Sequence, residues 1–272
     1  MIAAPFFQRL TLLIGDKTTE ALEKSRVIVV GIGGVGSWCA EALVRSGIGK
    51  ISLVDSDKVC PTNINRQVQA VSGTIGRLKT GALEERLKDI NPSCEVTAFP
   101  SVFSRESAEL FGISGADYVI DAIDSLTHKL DLIEIAMAAG TGFFSSMGMA
   151  QKLDPTLIRT ADIWKTSGCP LARLVRQGLR KRGFCGHFTA VFSPERFPYY
   201  LSHGGTEDTE EDESSLPDEP AGAWDSGKKV INGSAVTVTA AAGMVLASLV
   251  IRDVYARTNG QPDLPCHGRR HE

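Results

Sequence analysis

The run RVIVVGIGGVG, Arg26 to Gly36, decides the architecture. Arg26 to Val30 is a β-branched apolar stretch, which reads as a buried strand. Glycines at 31, 33, 34 and 36 break it, and Gly34 to Ser46 reads as a helix stopped by Gly47 and Gly49. Working outward, Ile51 to Val54 is the next strand and ends at Asp55. A helix over Gly76 to Ile90 stops at Asn91-Pro92. Strands follow at Glu95 to Phe99, Tyr118 to Asp121 and Gly142 to Ser146, with a helix over Leu126 to Ala139. This alternation predicts an α/β fold with a doubly wound, mostly parallel, Rossmann-like sheet. Beyond residue 150 the pattern is less regular. Strands over Leu157 to Ala161 and Phe188 to Phe192 flank a helix over Pro170 to Arg182, predicting a C-terminal α/β extension over 151–260.

The chain has 272 residues, enough for one large α/β domain with an appended lobe. A composition of 43% apolar and 22% charged residues allows a sizeable core. The net charge of −3 selects no partner, so any nucleic-acid site has to be a local patch. None of the six cysteines forms a Cys-x-x-Cys pair, so no zinc site is expected. Their scatter fits a reduced, cytoplasmic setting better than a disulfide framework. The apolar N-terminus lacks a leading basic region and a cleavage site, so it does not read as a signal peptide. Ala235 to Ile251 carries no charge over 17 residues. That is short for a membrane span, and we read it as a buried helix or strand–helix unit. Glu207 to Glu219 holds eight acids and no base, and reads as a mobile, solvated loop within 204–222. The tail over 261–272 reads as frayed.

Gly31, Gly33, Gly34 and Gly36 let the backbone turn tightly and bring its N–H groups to a phosphate at a helix N-terminus. Asp55, 19 residues past Gly36, ends the next strand, where a carboxylate can accept hydrogen bonds from ribose hydroxyls. These features alone leave three readings open: a nicotinamide dehydrogenase, a nucleotide-activating enzyme and a ligand-free turn. The polar crossover Asp55 to Gln67 then brings Arg66, which a dehydrogenase does not need. A triphosphate site does need it, because charge builds on the phosphates as the α-phosphorus is attacked. Lys79 adds a second fixed cation. Asp121 and Asp124 end a strand at the edge that faces the crevice, and carboxylates there suit magnesium.

The combined spacing of the glycine loop, Asp55-x-Asp57, Asn63-x-x-Arg66-Gln67, Lys79 and Asp121-x-x-Asp124 resembles the ubiquitin-activating-enzyme superfamily over roughly residues 7 to 150. That group includes the adenylyltransferases of sulfur-carrier proteins. The resemblance implies an ATP-binding adenylation domain over 1–150, with Asp55 and Asp57 at the nucleotide. It implies Asn63, Arg66 and Lys79 at the phosphates and Asp124 on Mg²⁺. It also implies a homodimer in which an N-terminal arginine reaches the other subunit's site, and Arg9 stands in the matching place.

The second half is similar to the tRNA threonylcarbamoyladenosine dehydratase branch. The residues that carry this are Asp154-Pro155-Thr156, Pro170-Leu171-Ala172-Arg173, Leu179 to Gly183 and Asn232-Gly233-Ser234. Cys169 departs from it, because an acid is expected before Pro170. The resemblance implies ATP-dependent cyclodehydration of a modified tRNA base through an adenylated carboxylate. It further implies a monovalent cation (Na⁺ or K⁺) at the site and a link to a cysteine desulfurase system. The bases Lys165, Arg173, Arg176, Arg180, Lys181 and Arg182 independently suit phosphate contacts with tRNA. The alternative is a zinc-less adenylyltransferase acting on the C-terminus of a ubiquitin-like sulfur carrier. Cys169 and Cys185 could be asked to form a thioester, but a tethered nucleophile needs no enzyme thiol. Cys39, Cys60 and Cys94 read as packing residues.

Overall fold

The computed structural model describes residues 5–196 and 233–261. The acidic stretch over 204–222, and the tail apart from Gln261, lie outside the described residues. Seven strands form one sheet in the order β3-β2-β1-β4-β5-β7-β6. They are β1 (Arg26–Val30), β2 (Lys50–Val54), β3 (Glu95–Phe99), β4 (Tyr118–Asp121), β5 (Gly142–Ser146), β6 (Arg159–Asp162) and β7 (Thr189–Phe192). All neighbours pair in parallel except β6 with β7. Parallel strands covered on both faces need uninterrupted apolar runs, and β1 and β4 are buried through Val30 and Asp121.

The helices are α1 (Gln8–Ile14), α2 (Asp16–Lys24), α3 (Gly36–Arg45), α4 (Lys79–Ile90), α5 (Leu126–Ala139), α6 (Pro170–Lys181) and α7 (Val236–Thr258). The helices α2, α3, α4 and α7 pack on one face of the sheet, and α5 and α6 on the other. Several boundaries shift by one to three residues from the pattern reading, and two of the shifts have a visible cause. The helix expected from Gly76 begins at Lys79, because Lys58 and Leu78 form a bridge that holds the preceding residues extended. The strand expected from Leu157 begins at Arg159, because Pro155–Leu157 closes a 3₁₀ turn capped by Asp154. The helices α1 and α2 have no counterpart in the pattern reading. They are short, and α1 buries no residue.

The apolar segment from Ala235 lies in α7, which is by length and composition the one described helix able to cross a membrane. Here it packs tightly on α3. A Cβ at Gly243 would lie 2.5 Å from the Val35 carbonyl oxygen, so glycine is required for that approach. At its far end Asp253, fully buried, accepts a hydrogen bond from Tyr118 Oη at 2.6 Å.

The strand order reverses between β1 and β4: β2 and β3 extend to one side, and β4, β5, β7 and β6 to the other. The crevice at the carboxyl ends of β1 and β4 is therefore the ligand position of an open α/β sheet.

Candidate nucleotide site

The glycine loop leaves β1 at Gly31, whose φ of +84° is a left-handed conformation. A Cβ at Gly31 would lie 2.7 Å from the Ala122 oxygen, and one at Gly36 only 1.8 Å from the Gly31 oxygen. A Cβ at Gly34 would meet Thr239 at 3.2 Å and Arg66 Cγ at 3.3 Å. Gly33 differs, since the nearest atom to its Cβ position is Gln67 Nε2 at 3.9 Å. Three glycines thus let backbone pack on backbone or side chain, while Gly33 leaves its face open. At the start of α3 the Ser37 N–H donates to the Gly33 oxygen at 3.2 Å and the Cys39 N–H to the Val35 oxygen at 3.0 Å, so the helix N-terminus grows directly out of this loop.

Asp55 holds the loop in shape. Its Oδ2 accepts from the Ile32 N–H at 3.0 Å and its Oδ1 from the Asp57 N–H at 2.9 Å. Burial pushes its carboxyl above the usual carboxylate range, and the Lys79 charge pulls it partly back. Lys79, 7% exposed, points its Nζ at Asp57 Oδ2 at 2.8 Å, and Asp57 is 64% exposed. An otherwise buried cation therefore faces the crevice beside a carboxylate that solvent can reach.

Arg66 stands on the crossover between β2 and α4. Its Nη1 donates to the Thr62 oxygen and to Asn65 Oδ1, both at 2.8 Å. Its own carbonyl accepts from Trp38 Nε1 at 3.0 Å, which fastens the crossover to α3. Buried Asn63 caps the turn by accepting from the Cys60 N–H at 3.0 Å, and its carbonyl accepts from Arg66 and Gln67. Asn63 is thus committed to the turn that presents Arg66. Behind the loop, buried Gln69 donates to the Ile32 oxygen at 2.9 Å. The Asn232-Gly233-Ser234 motif reaches the same rim, where Asn65 Nδ2 donates to the Ser234 oxygen at 2.8 Å.

The two carboxylates at and just beyond the end of β4 part company. Asp124 is exposed at the crevice. Asp121 is wholly buried and ion-paired to Lys129 Nζ at 2.8 Å, so it is not available to a metal. Among the described residues no three acidic, His or Cys side chains gather as a metal cage. One exposed carboxylate beside phosphate-binding backbone suits Mg²⁺, which takes one or two protein carboxylates and completes its shell from phosphate and water. Pattern reading missed Lys129, since a lysine within a helix reads as a solvated residue. It also missed Trp38, for which sequence carries no signal.

The basic residues do not form one surface. Helix α6 starts at the crevice edge, where a Cβ at Gly148 would lie 3.6 Å from Cys169 Sγ. It ends toward the opposite edge, where Arg180 covers the Trp164 ring at 5.4 Å, just past the end of β6. Arg176 turns inward to Thr166 Oγ1, and burial pulls its guanidinium below the usual range. Arg182 pairs with Asp131 and Glu134 at 2.8 and 3.0 Å. Lys165, Arg173, Arg180, Lys181 and Arg182 are exposed, Arg182 with its guanidinium held by those two carboxylates, and Arg176 is half-buried. Arg9 lies on exposed α1. The neighbouring Phe7 ring stands 3.8 Å from the Cβ position of Gly47, before β2, at the edge opposite the glycine loop. The five residues of β1 separate the two edges by about 16 Å.

Cys39 and Cys94 are buried, and burial drives both thiols up, Cys94 to about 11. Both therefore stay protonated and inert, as packing residues do. Cys169 is buried at the start of α6, and Cys185 is exposed.

Residues 7–263 match the ThiF family. A Bacillus subtilis protein named tRNA threonylcarbamoyladenosine dehydratase is 39% identical over 248 residues, covering 91% of this chain and 94% of the relative. The Escherichia coli tRNA N6-threonylcarbamoyladenosine dehydratase TcdA, solved in complex with ATP, superposes with a TM-score of 0.79 at 31% identity. That match covers 96% of this chain and 100% of the other. The same E. coli enzyme in complex with AMP gives a TM-score of 0.80 at 31% identity, covering 95% and 99% of the two chains.

Proposed function

The chain belongs to the ThiF family, and from that premise we propose that it catalyses the ATP-dependent cyclodehydration of threonylcarbamoyladenosine in tRNA. The observation that carries this is the convergence of Gly31–Gly36, Asp55, Arg66, Lys79 and Asp124 on one sheet edge. The threonyl carboxylate attacks the α-phosphorus of ATP, pyrophosphate leaves and an acyl adenylate forms. A carbamoyl atom then attacks the activated carbonyl carbon and loses its proton; AMP leaves and the ring closes. Tethering makes the second step unimolecular, an advantage of about 7–11 kcal/mol. The loop backbone cradles the phosphates, Asp55 takes the ribose, and Arg66 and Lys79 meet the charge that develops in the first step. Mg²⁺ held by Asp124 would neutralise phosphate charge. No enzyme thiol is needed, so Cys169 and Cys185 have no part. The tRNA contacts fall to Lys165, Arg173, Arg180 and Lys181.

Incubation with ATP and tRNA bearing the open modification is expected to release AMP and to remove the mass of one water from the nucleoside. If neither occurs the reading fails. Pyrophosphate exchange that depends on a ubiquitin-like carrier, and not on tRNA, would favour the sulfur-carrier alternative.

The working unit in this reading is a homodimer. Leu12 and Leu13 are 82% and 77% exposed on the helix that carries Arg9, and a second copy would cover them. Arg9 lies too far from its own crevice and would complete the partner's. Leu12→Asp with Leu13→Asp is expected to give monomers by light scattering and to lose turnover. Mixing Arg9→Ala with Arg66→Ala protein is expected to restore turnover, because each mixed dimer holds one intact site. No recovery after confirmed subunit exchange would count against Arg9 acting across the dimer.

A further inference from the structure

Beneath the crevice lies a closed set of buried polar groups. Asp121 and Lys129 are both 0% exposed and meet at 2.8 Å. Lys129 Nζ also donates to the Ile123 oxygen at 2.8 Å. Asp121 Oδ1 accepts from the Ile123 N–H at 3.1 Å, and its Oδ2 accepts from Ser145 Oγ at 2.6 Å. The set joins the carboxyl ends of β4 and β5, the first turns of α5 and both backbone polar groups of Ile123.

The turn it grips has two faces. On one, the Ala122 N–H donates to the Val30 oxygen at 2.9 Å, and the Ala122 oxygen backs onto Gly31. On the other, the turn carries Asp124. A buried ion pair is often no more stabilising than apolar side chains of equal volume. Its value here is therefore geometric: buried polar groups hydrogen-bonded to one another admit few arrangements. We infer that Lys129 is a positioning residue, which through Asp121 and Ile123 sets where the 122–124 turn places Asp124 and how it braces the glycine loop. This rests on the reading of the crevice as the ATP·Mg²⁺ site.

The test is the double variant Asp121→Asn/Lys129→Met, which removes both charges and keeps the volume filled. We expect a folded protein whose thermal midpoint is no more than about 8 °C lower. Its affinity for ATP in Mg²⁺ should fall about 10–100-fold. Amide exchange should quicken at 122–125 while the remaining core stays protected, a pattern that general destabilisation does not give. A folded variant with wild-type ATP affinity and wild-type exchange at 122–125 overturns the role while leaving the crevice reading intact. If the wild-type protein binds no ATP, the crevice reading falls and this role falls with it. Should the double variant not fold, Ser145→Ala keeps the ion pair and removes one of its hydrogen bonds. It is expected to weaken ATP binding about fivefold and to quicken the same amides, and unchanged values overturn the proposal.

Discussion

Arg66→Ala is expected to lower kcat/KM for ATP by about 10²–10³-fold, the usual effect of removing one preorganised charge-stabilising donor. The variant should fold normally. The Arg66 side chain donates only to the Thr62 oxygen and Asn65 Oδ1 at the surface. What anchors this position is its backbone carbonyl, held by Trp38 Nε1, and alanine keeps that bond. Loss of a partly exposed hydrogen-bonding side chain costs at most about 1 kcal/mol of stability. Steady-state pyrophosphate release and thermal melting together check the prediction. A rate within threefold of wild type would remove Arg66 from the phosphate site.

The second large effect separates two neighbouring glycines. Gly36→Ala would gain roughly 1 kcal/mol of helix propensity at the start of α3. That gain is overwhelmed, because the added Cβ would lie 1.8 Å from the Gly31 oxygen and 3.2 Å from Ala122 Cβ. Neither β1 nor the 122–124 turn can retreat, so we expect a loss of at least about 3 kcal/mol. Gly33→Ala meets nothing nearer than 3.9 Å and needs no positive φ. Its stability should change by less than about 1 kcal/mol. Its ATP affinity should nevertheless fall by about tenfold or more, some 1.4 kcal/mol, because a methyl group would occupy the face left open to phosphate. Urea unfolding with ATP titration distinguishes the two glycines. Equal ATP binding by folded Gly33→Ala protein would mean that the open face is not the phosphate seat.

The central strands β1, β2 and β4 were legible because each is a short apolar run closed by glycine or a carboxylate, and parallel strands buried on both faces must be written that way. Asp55 and Asp124 were legible for a related reason, since polar residues at the ends of such runs emerge at the sheet's carboxyl edge. Asp121 shows the limit of that rule. It ends β4 as Asp55 follows β2, yet it points inward to Lys129 and Ser145. Sequence separates those partners by 8 and 24 residues and offers no sign of their meeting. The basic helix shows the same limit. Six bases in one stretch read as one patch, but Arg182 is claimed by Asp131 and Glu134 on α5, and Arg176 by Thr166.

By itself, then, the run from Arg26 to Gly36 and its spacing to Asp55, Arg66, Lys79 and Asp124 determined the sheet and the crevice and pointed to triphosphate chemistry. Those depend on chain direction and on residue types at strand ends, which are local properties. Only the tertiary structure decided which glycines face backbone and which faces open space, which carboxylate is spent on a buried lysine, and which bases still reach solvent. It also turned the uncharged stretch of α7 inward against α3, through the contact of Gly243 with Val35. Each of these depends on groups far apart in sequence coming within about 4 Å, a distance that no local pattern encodes.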